Sequence, residues 1–433
     1  MFLIKKAIKK ITPDFILNIY HFKLALLAAI WYGFPSRKLK VIGVTGTNGK
    51  STTAAMLAAI FKEAGYRVAL SSSINFEIAG DISKNTLSNS MPGRFAIQRL
   101  LAEAVKAKCD YAFIEVTSEG IKQHRHRFIK FIGAIFTNLT PEHIESHGNF
   151  ENYRNAKLNL FKTAKGFHVI SLDDENTKYF LDVPAQKRFC YTVKNAALPQ
   201  GISATLVKAG DIISKKQGVG FLVNGMDFFV AIPGQFNVSN ALAAICAAFL
   251  QGISLAVCER ALRNFSALPG RMEKVHDLPQ VFVDYAFTPN ALEQVYKDLT
   301  SRKSASGKLI CVLGACGGGR DKWKRPVLGE IVASYCGQII LTDEDPFDED
   351  PQTILDMIKG GVVKKGFSAI NLHEVLDRRE AISRALALAG PDDIVILTGK
   401  GSESWIRLKD GKKIAWDEKT IVQELAKKLR LGQ

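Results

Sequence analysis

The stretch VIGVTGTNGKSTTAAML, Val41–Leu57, decides the fold class of this chain. The apolar run Lys40–Val44 predicts a buried strand, and the Ala-, Leu- and Met-rich run Thr52–Lys62 predicts a helix. The turn Gly46–Gly49 lies between them, and its residues can bend sharply and bring backbone N–H groups close to an anion. A strand, a glycine loop, and a lysine and a hydroxyl at the start of a helix together predict a phosphate-binding site.

The spacing of this loop departs from the usual G-x-x-x-x-G-K-[ST] pattern, because position 44 is Val. The physical requirements are still met. Backbone donors and Lys50 are suited to hold the β- and γ-phosphates, and Ser51 offers a hydroxyl to Mg²⁺. A chance turn is the alternative interpretation, and the strand–loop–helix order disfavours it.

The composition indicates a globular chain of two or three domains with an anionic partner. Its 433 residues exceed what one hydrophobic core usually serves, and 47% of them are apolar. The formal net charge of +16 suits a polyanionic ligand, an anionic membrane surface or nucleic acid. Nucleic acid is the least favoured of the three, because the sequence has no basic stripe interleaved with aromatics and no zinc-finger or RNP-like motif.

The seven cysteines indicate the redox compartment. Their number is odd, they include no C-x-x-C pair, and most lie in apolar stretches. Reduced, buried thiols in a cytoplasmic protein are therefore expected.

Residues 1–38 predict a short N-terminal helical segment that is both apolar and basic. Its uninterrupted apolar part, Leu24–Phe34, is shorter than the roughly 20 residues that span a bilayer, and Lys23 interrupts any longer version. No small-residue cleavage site follows, so a secretory signal is not expected. The flanking basic residues are Lys5, Lys6, Lys9, Lys10, Arg37, Lys38 and Lys40. Two interpretations stay open: a helix packed against the first domain, favoured because Pro35 leads directly into the core strand, or an interfacial helix whose lysines face anionic lipid.

After this segment, alternating apolar runs and amphipathic segments predict two α/β domains, residues 39–267 and 268–433, facing each other across a cleft. Within the first, strands of a mostly parallel sheet are predicted at Tyr66–Leu70, Tyr111–Val116, Phe131–Leu139 and His168–Leu172. The Gly-punctuated region from Ile202 to Ile232 predicts antiparallel hairpins, and Asn237–Gly252 predicts a buried helix.

The second domain contains four apolar runs, QVFVDYAF, KLICVLGAC, GQIILTDED and DDIVILTGKG. Each ends in polar or glycine residues. Because ligands of open parallel sheets collect beyond the carboxyl ends of the strands, a binding site is expected there.

The stretch GTNGKSTT also resembles the phosphate loop of the Mur ligase family, and further blocks of the chain agree with that family. These blocks are Phe136–Phe161, FNVSNALAA (Phe236–Ala244), LPGRMEKV (Leu268–Val275), VDYAFTPNALE (Val283–Glu293), GGGRDKWKRPVLG (Gly317–Gly329), TDEDPFDEDP (Thr342–Pro351) and TGKGSES (Thr398–Ser404). Their order and spacing are similar to the MurE type, which adds the third residue of the peptidoglycan stem peptide. The resemblance covers the chain from residue 39 onward.

The resemblance implies the family's fold, a central P-loop domain that binds ATP followed by a Rossmann-like domain, and the family's reaction. A substrate carboxylate attacks the γ-phosphate of ATP to give an acyl phosphate. An incoming amine then displaces phosphate and leaves an amide, ADP and Pi. Because each step gathers negative charge, Mg²⁺ and cationic side chains are expected at the site.

For catalysis the resemblance implies five residues: Lys50, Glu115, His143, Lys157 and Arg271. Glu115 and His143 match the family's Mg²⁺ ligands, with Ser51 on the nucleotide side. Lys157 matches the lysine that the family carbamylates, so N6-carboxylysine is expected there as a ligand of a second Mg²⁺. Without the resemblance, Glu115, His143 and Lys157 would be interpreted as structural residues.

For substrates the resemblance implies three further sets. The ATP-binding residues are Gly46, Thr47, Asn48, Gly49, Lys50, Ser51, Thr52, Asn237, Asn240, Arg271 and Asp284. The acceptor-binding residues are Thr117, Gln123 and Arg125, and the residues for the incoming amino acid are Arg320, Glu344, Asp345, Gly399 and Glu403.

Several of these assignments have a plainer interpretation beside the functional one. Helix capping is the alternative for Asn237 and Asn240, and a surface ion pair is the alternative for Arg271 with Asp284. Arg125 is either a carboxylate or phosphate clamp or ordinary basic surface. In the amino-acid pocket, Arg320 is expected to grip the α-carboxylate, while the two glutamates are expected to hold an amine at the far end.

Four departures from the family pattern affect the expected substrates. The usual N-terminal UDP-binding domain is replaced by residues 1–38, so the UDP-sugar is either held differently or not part of the acceptor. Phe347 stands where diaminopimelate-adding members have an arginine; with Glu344 and Asp345 beside it, the pocket is expected to favour lysine or ornithine. Phe287 and Ser402 each replace a histidine, and neither position is assigned to bond making.

The leading hypothesis is a cytoplasmic, monomeric ligase that adds an amino acid, expected to be a diamino acid, to a UDP-N-acetylmuramoyl-dipeptide-like acceptor. A sibling ligase acting on a folate, a poly-amino acid or a lipid-linked acceptor stays open. So does a nucleotide-binding subunit without catalysis, although Lys50 and Lys157 argue against it. Peripheral membrane contact through the N-terminal helix is a further expectation.

Overall fold

Alternating strands and helices build two α/β units in the computed structural model of this chain, which describes residues 13–87, 90–215 and 217–431. The first unit comprises the chain up to Pro141 together with Asn149–Ser266, and the second comprises Glu142–Gly148 together with Ala267 onward. The expected basic run Lys5–Lys10 lies outside the described residues.

The helices of the described chain are α1 Asp14–Trp31, α2 Lys50–Glu63, α3 Arg94–Lys106, α4 Ser118–Lys122, α5 Ile144–His147, α6 Phe150–Thr163, α7 Thr177–Leu181, α8 Phe236–Leu250, α9 Leu255–Arg263, α10 Pro289–Arg302, α11 Lys324–Tyr335, α12 Pro351–Lys364, α13 Arg378–Leu388 and α14 Glu418–Lys428. Short 3₁₀ turns lie at Pro35–Lys38, Ala369–Asn371 and Lys409–Gly411.

The strands of the described chain are β1 Lys40–Thr45, β2 Val68–Ser71, β3 Asn75–Ile78, β4 Asp81–Lys84, β5 Tyr111–Glu115, β6 Phe131–Phe136, β7 Phe167–Ser171, β8 Lys187–Thr192, β9 Thr205–Lys215, β10 Gly218–Val223, β11 Met226–Val230, β12 Glu273–His276, β13 Gln280–Asp284, β14 Leu309–Leu313, β15 Gln338–Leu341, β16 Leu372–Glu374, β17 Ile394–Thr398, β18 Trp405–Arg407 and β19 Lys413–Ala415.

The sheet of the first unit is parallel in its centre and antiparallel at both edges. Its order is β11-β10-β9-β8-β7-β6-β1-β5-β2-β3-β4, and the pairs from β9 across to β2 are parallel. The register places Val44 of β1 opposite Glu115 of β5, and Thr45 opposite Phe136 of β6. The carboxyl ends of these three strands therefore meet at one edge, where the glycine loop begins.

The sheet of the second unit has the order β12-β13-β17-β14-β15-β16, with all pairs parallel except β12 with β13. Asp284, the last residue of β13, lies opposite Thr398, the last residue of β17. Leu313 of β14 lies opposite Leu341 of β15. The loops after these four strands consequently share one edge of the sheet.

The predicted fold class, α/β with a mostly parallel central sheet and a second Rossmann-like sheet, is confirmed. The predicted strands of the first unit appear as β2, β5, β6 and β7, and the predicted hairpins appear as β9 to β11.

One expectation about the cysteines is wrong. Cys311 in β14 and Cys336, which precedes β15, form a disulfide bond, with their Cα atoms 6.2 Å apart. The physical reason is that β14 and β15 are parallel neighbours, so two cysteines far apart in sequence come within bonding distance. Cys109, Cys190, Cys246 and Cys258 are free and buried, as expected.

Helix α1 packs against the first unit, as the first of the two interpretations of the N-terminal segment expects. Its Ala28 and Ala29 are fully buried, and its Phe22 ring lies 5.3 Å from the ring of Phe128. None of the helices in the described ranges is both long enough and apolar enough to cross a membrane.

Candidate active site

The glycine loop of the first unit is held in place by the residues that follow β6. The backbone N–H of Thr47 donates to the carbonyl oxygen of Asn138 at 2.8 Å, and that of Asn48 donates to the Asn138 side chain at 2.9 Å. The hydroxyl of Thr137 donates to the carbonyl oxygen of Asn48 at 2.7 Å. Parallel pairing of β1 with β6 brings these residues together, so the loop is shaped before any ligand binds.

Two glycines of the loop occupy positions where a Cβ atom would clash with a neighbouring side chain. A Cβ atom on Gly46 would lie 1.9 Å from the Thr137 hydroxyl, and one on Gly49, where φ is +83°, would lie 2.2 Å from the Asn240 side-chain oxygen. Gly49 directly precedes α2. Because the first N–H groups of a helix have no acceptor within the helix, the start of α2 offers donors to an anion.

Glu115 is the acidic centre of this loop region and is only 2% exposed. Its carboxylate accepts hydrogen bonds from the Ser51 hydroxyl and from the backbone N–H of Ser73, each at 2.8 Å. The Lys50 Nζ atom lies 3.9 Å from the other carboxylate oxygen and donates to the carbonyl oxygen of Thr47 at 2.8 Å. The predicted residues Lys50, Ser51 and Glu115 are thus brought together.

The donor set around Glu115 fits Mg²⁺. Carboxylate and hydroxyl oxygens are ligands that Mg²⁺ prefers, and this ion commonly takes one or two protein oxygens and completes its shell with water and substrate phosphates. A cage made by the protein alone is not found, since within residues 13–87, 90–215 and 217–431 no three His, Cys, Asp or Glu side chains are placed to hold a metal.

Lys157 lies beside the same loop. Its side chain is 2% exposed, its Nζ atom donates to the carbonyl oxygen of Gly46 at 2.7 Å, and the same atom lies 4.6 Å from the centre of the Tyr153 ring. Helix α6 carries both residues. The lysine therefore sits where a modified side chain would border the phosphate loop.

Asn237 and Asn240 lie within the first turns of α8, next to the loop. The Asn240 amide donates to the Asn237 side-chain oxygen at 3.0 Å, and the Asn237 amide donates to the carbonyl oxygen of Pro233 at 2.6 Å. Helix α8 is preceded by Gln235, and no side chain caps it. The capping interpretation of these two asparagines is therefore wrong, since their side chains bond to each other and to a preceding loop.

The predicted acceptor residues lie together on one segment after β5. The Thr117 hydroxyl accepts from the backbone N–H of Gly120 and caps α4. Arg125 is 7% exposed, and its guanidinium donates to the Gln123 side chain at 2.9 Å and to the carbonyl oxygen of Met91. Burial lowers the pKa of Arg125 to about 10. The interpretation of Arg125 as ordinary basic surface is thus wrong, because the side chain is buried.

In the second unit, the segment Glu142–Gly148 brings His143 to Arg320. The Arg320 Nη1 atom lies 3.5 Å from His143 Nδ1. Glu142 pairs with Lys324 at 2.9 Å, and both side chains are buried. Burial alone would lower the pKa of Arg320, but Cys316, Tyr285 and nearby carboxylates raise it above its ordinary value. A predicted metal ligand and a predicted amino-acid ligand thus share one site.

The predicted amino-acid residues surround a lysine that the sequence did not single out. Lys400 is fully buried, and its Nζ atom lies 2.8 Å from an Asp345 oxygen and 2.6 Å from a Glu403 oxygen. The Tyr285 hydroxyl donates to the other Glu403 oxygen at 3.1 Å. Burial would raise the pKa of Glu403, but Lys400 and Arg407 hold it below its ordinary value.

Glu344 lies beside this cluster, next to Gly399. It is 2% exposed and accepts a hydrogen bond from the Cys316 thiol at 2.9 Å. Burial raises the pKa of its carboxyl group. Gly399, where φ is +100°, allows this approach, because a Cβ atom there would lie 2.1 Å from a Glu344 oxygen.

Arg407 is a second pocket residue that was missed. Its Nη1 atom lies 3.7 Å from an Asp345 oxygen, and the centre of its guanidinium lies 5.7 Å from the centre of the Phe347 ring. The two backbones are joined as well: Phe347 N–H donates to the Arg407 carbonyl at 3.1 Å. The Nε atom of Arg407 is buried without a hydrogen-bond partner among the described residues.

These contacts bear on the expectation that Glu344 and Asp345 repel a distal carboxylate. The charge of Asp345 is compensated by Lys400 and Arg407, and burial raises the pKa of the Glu344 carboxyl group. A cation, rather than free negative charge, lies beside Phe347.

Arg271 and Asp284 lie at the end of β13. Asp284 is 7% exposed and accepts from the backbone N–H of Met272 at 2.7 Å. Burial raises its pKa to about 6, while Arg271 acts in the opposite direction. The Arg271 guanidinium stacks on Tyr285, 4.5 Å from the ring centre. The interpretation of these two residues as an ordinary surface pair is wrong, since the carboxylate is buried.

Comparisons with known proteins agree with both units. Residues 44–248 match the profile of the Mur ligase middle domain, and residues 270–401 match that described as Mur ligase, glutamate ligase domain. A protein of Clostridium tetani named UDP-N-acetylmuramoyl-L-alanyl-D-glutamate–2,6-diaminopimelate ligase is 39% identical over 410 residues, 94% of this chain and 81% of that protein. A protein of the same name from Syntrophomonas wolfei is 37% identical over 415 residues, 93% and 81% of the two chains.

Solved structures of related ligases are also similar to this chain. A structure of a ligase with that name has a TM-score of 0.59 and 30% identity, covering 90% of this chain and 79% of the other. MurF from Acinetobacter baumannii has a TM-score of 0.67 at 18% identity, covering 94% and 80%. The Mycobacterium tuberculosis folylpolyglutamate synthase complexed with ADP and AMPPCP has a TM-score of 0.66 at 15% identity, covering 97% and 99%. The last two show a shared fold.

Proposed function

The chain belongs to the Mur ligase family of ATP-dependent ligases, and we propose that it joins a diamino acid to a free carboxylate of UDP-N-acetylmuramoyl-L-alanyl-D-glutamate. The observation that carries the proposal is the buried Glu115 carboxylate, which faces Lys50 and Ser51 at the edge of a preformed glycine loop. The names of the relatives support the choice of acceptor. We propose that the protein acts as a monomer in the cytoplasm, where ATP is available.

The first half of the reaction belongs to the first unit. Backbone donors of the loop and Lys50 hold the terminal phosphates of ATP, and the acceptor carboxylate attacks the γ-phosphorus to give an acyl phosphate and ADP. Mg²⁺, held by Ser51 and Glu115, would neutralise the negative charge that develops on the phosphate oxygens. Thr117, Gln123 and Arg125 would bind the acceptor, and Asn237 and Asn240 the nucleotide.

Lys157 is proposed to carry a carbamate. The reaction of its neutral amine with CO₂ forms an N–C bond and releases one proton, which turns a cation into an anionic oxygen ligand. The lysine already contacts the phosphate loop through Gly46, so the new carboxylate would border that loop and could offer oxygen ligands to a second Mg²⁺. His143 is proposed as a further ligand.

The second half of the reaction is the capture of the acyl phosphate by an amine. Arg320 would bind the α-carboxylate of the incoming amino acid, and its raised pKa keeps it charged. Arg271 and Asp284 are proposed as further nucleotide-binding residues. The amine attacks the acyl carbon, the C–O bond to phosphate breaks, and the amide, phosphate and a proton are released.

The distal end of the amino acid is proposed to meet Arg407. Diaminopimelate carries a second carboxylate, which would pair with the guanidinium that lies over Phe347, and its distal amine would meet Glu403 and Glu344. Arg407 would thereby supply the cation that the family pattern places at position 347, where this chain has Phe347. The relatives named above are diaminopimelate ligases, which agrees with this assignment.

The deciding experiment is a coupled assay of the full chain with ATP, Mg²⁺, the UDP-dipeptide and one of diaminopimelate, lysine or ornithine. Phosphate release is expected only when acceptor and amino acid are both present, and the product mass should equal their sum minus one water. Phosphate release with a folate, a poly-amino acid or a lipid-linked acceptor in place of the UDP-dipeptide would refute the proposed acceptor. No release with any acceptor would refute catalysis.

Two variants test the assigned residues in the same assay. Lys50→Ala should lower kcat by on the order of 10²- to 10³-fold, because a preorganised cation at the transferred phosphate is lost. Lys157→Ala should be similarly slow and partly restored by short carboxylic acids, and the intact wild-type protein should carry the added mass of one CO₂. Lys162→Ala, an exposed lysine of the same helix, is the control. If Lys157 is unmodified in fully active enzyme, the proposed carbamate is refuted.

A further inference from the structure

Helix α1 exposes most of its large apolar side chains. Among the described residues, nineteen large apolar side chains are exposed, and eight of them lie on this helix of eighteen residues. These eight are Phe15, Ile16, Ile19, Tyr20, Phe22, Leu27, Ile30 and Trp31, with exposed fractions from 40% to 75%. Scattered apolar residues on a surface need no explanation, but a concentration of this kind marks an interaction site.

The exposed residues form a continuous face. Ile16, Tyr20, Leu27 and Ile30 follow one another at multiples of three and four residues, which places them on one side of a helix. Lys23 is the only charged residue on that side and is itself exposed. We call this surface the outer face of α1.

The packing of α1 uses mainly the opposite side and small residues. Ala25, Ala28 and Ala29 are between 0% and 2% exposed, whereas eight bulky side chains keep 40% to 75% of their surface exposed, including Phe22, whose ring also contacts Phe128. A helix that served only to cover the core would be expected to turn its bulky residues inward, because burial of a large side chain stabilises more than burial of an alanine. The sequence of α1 therefore suits two partners, the protein on one side and an apolar phase on the other.

The charge around α1 identifies that phase. Residues 1–40 contain eight Lys or Arg and one Asp, a net charge of +7 out of +16 for the whole chain. Lys23, Arg37 and Lys38 belong to the described part and are exposed. The Arg37 guanidinium stacks over the Phe34 ring at 4.4 Å, so a cation lies just beyond the C-terminal end of the outer face.

We propose that the outer face of α1 docks the protein on the surface of an anionic lipid bilayer, with the helix lying in the plane of the interface. An apolar helical face with basic residues beside it is the combination that peripheral membrane helices use. A second copy of the chain would bring two strongly positive segments together, and a nucleic acid would leave the aliphatic side chains without a partner. An anionic bilayer can bury the apolar face and attract the basic residues beside it.

This inference does not depend on the proposed function, since it concerns no residue that is assigned to the candidate site. It gives the ligase a location as well as an activity: a nucleotide-sugar peptide would be completed next to the membrane surface. The surface contact and the reaction can therefore be tested separately, and either can fail alone.

The test measures partition of the full chain onto vesicles of phosphatidylcholine with and without phosphatidylglycerol, by sedimentation and by the fluorescence of Trp31. Binding is expected only to the anionic vesicles and should weaken as salt is raised. Ile19→Ser/Ile30→Ser should lower the partition coefficient at least about tenfold, because two apolar side chains leave the interface. The matched control is Ile213→Ser/Ile370→Ser, which changes two isoleucines elsewhere that are at least as exposed and should bind like the wild type.

The charge is tested with Arg37→Glu/Lys38→Glu, expected to lower the partition coefficient roughly tenfold or more, against the control Lys297→Glu/Lys365→Glu. All variants should keep the wild-type ligation rate with soluble substrates, which shows that they fold. The proposal is overturned if the wild type ignores anionic vesicles at low salt, or if the outer-face and control variants bind alike. If the wild type forms a dimer in solution and the Ile19→Ser/Ile30→Ser variant is a monomer, the outer face binds a second copy of the chain instead.

Discussion

The two units hold their sites by different means. In the first unit, the loop Gly46–Gly49 is shaped by backbone hydrogen bonds and by glycines that allow close contacts. In the second unit, the pocket around Lys400 is shaped by ionic side chains from the loops after β15 and β17 and from strand β18. The first arrangement is built on one continuous segment and is proposed to bind ATP, whereas the second joins separate segments and is proposed to select among amino acids.

The difference has an energetic consequence. A loop fixed by main-chain hydrogen bonds keeps its shape when a surface side chain changes. A buried ion cluster stays stable only while each charge keeps its partner, because desolvation penalises every ion that is left alone. We expect substitutions in the second unit to act mainly on stability and selectivity, and substitutions in the first to act mainly on turnover.

The largest stability effect is expected for Lys400→Met. Asp345 and Glu403 both lose the buried cation that lies within 2.8 Å of them. Removing one partner of a buried ion pair typically costs about 3–5 kcal/mol, and thermal unfolding of the variant should show a loss of this size. The exposed Lys365→Met is the control and should stay within about 0.5 kcal/mol of the wild type. An unchanged free energy of unfolding for Lys400→Met would mean that the cluster is not held by charge.

Asp284 gives the second unit a pH-dependent stability. Its pKa rises from 3.8 to about 6 on burial, so between these values the unfolded chain loses a proton that the folded chain keeps. Stability from this group is therefore present below about pH 4 and lost as pH rises to about 6, by at most about 3 kcal/mol. Asp284→Asn should remove this loss, so the variant gains stability relative to the wild type as pH rises.

The check is denaturant unfolding of wild type and Asp284→Asn from pH 4 to pH 7, without nucleotide, with the exposed Asp227→Asn as control. If the difference between wild type and Asp284→Asn stays constant across this range, the carboxyl group is not protonated in the folded protein.

The glycine loop offers the sharpest contrast. Gly49→Ala places a Cβ atom 2.2 Å from the Asn240 side-chain oxygen at a position where φ is +83°, so the loop or the Asn240 side chain must shift. A misplacement of about 1 Å in a phosphate site typically costs on the order of 10²-fold in rate, and kcat should fall accordingly with a smaller loss of stability. Gly360→Ala is the control: nothing lies within 4 Å of its new Cβ, and in the interior of α12 it should stabilise by up to about 1 kcal/mol. Equal rates for the two variants would show that the loop tolerates displacement.

The same contrast explains what could be predicted from the sequence. The strand, glycine loop and helix at Val41–Leu57 are specified by consecutive residues, so their fold and the positions of Lys50 and Ser51 follow from local patterns. Glu115 could also be predicted from the sequence, because it ends the strand that pairs with β1. Lys400 was within reach too, since it stands between two assigned residues, Gly399 and Glu403.

Other features depend on contacts that no local pattern encodes. Arg407 belongs to a hairpin about sixty residues after Phe347, and only the fold shows that the two stack. The disulfide between Cys311 and Cys336 depends on the pairing of two strands. Helix α1 carries apolar residues on both faces, so its sequence alone did not tell which face is covered and which is exposed.

The smallest expected effect, Arg407→Ala, tests the selectivity half of the comparison. If Arg407 pairs with the distal carboxylate of diaminopimelate, its removal should raise the KM for that amino acid about tenfold or more, because one charge-assisted pair in a largely buried pocket is lost. The KM for lysine, which has no distal carboxylate, should change little, and kcat should be unaffected with either substrate. The ratio of the two KM values is therefore the measurement that matters, since a general loss of packing around Asp345 would raise both alike. Arg379→Ala removes an exposed arginine from an ion pair with Glu424 and serves as the control. An equal rise in KM for both amino acids would mean that Arg407 only pairs with Asp345 and does not bind the substrate. Selectivity would then have to come from Glu344 and Glu403, which would favour the plain amine of lysine.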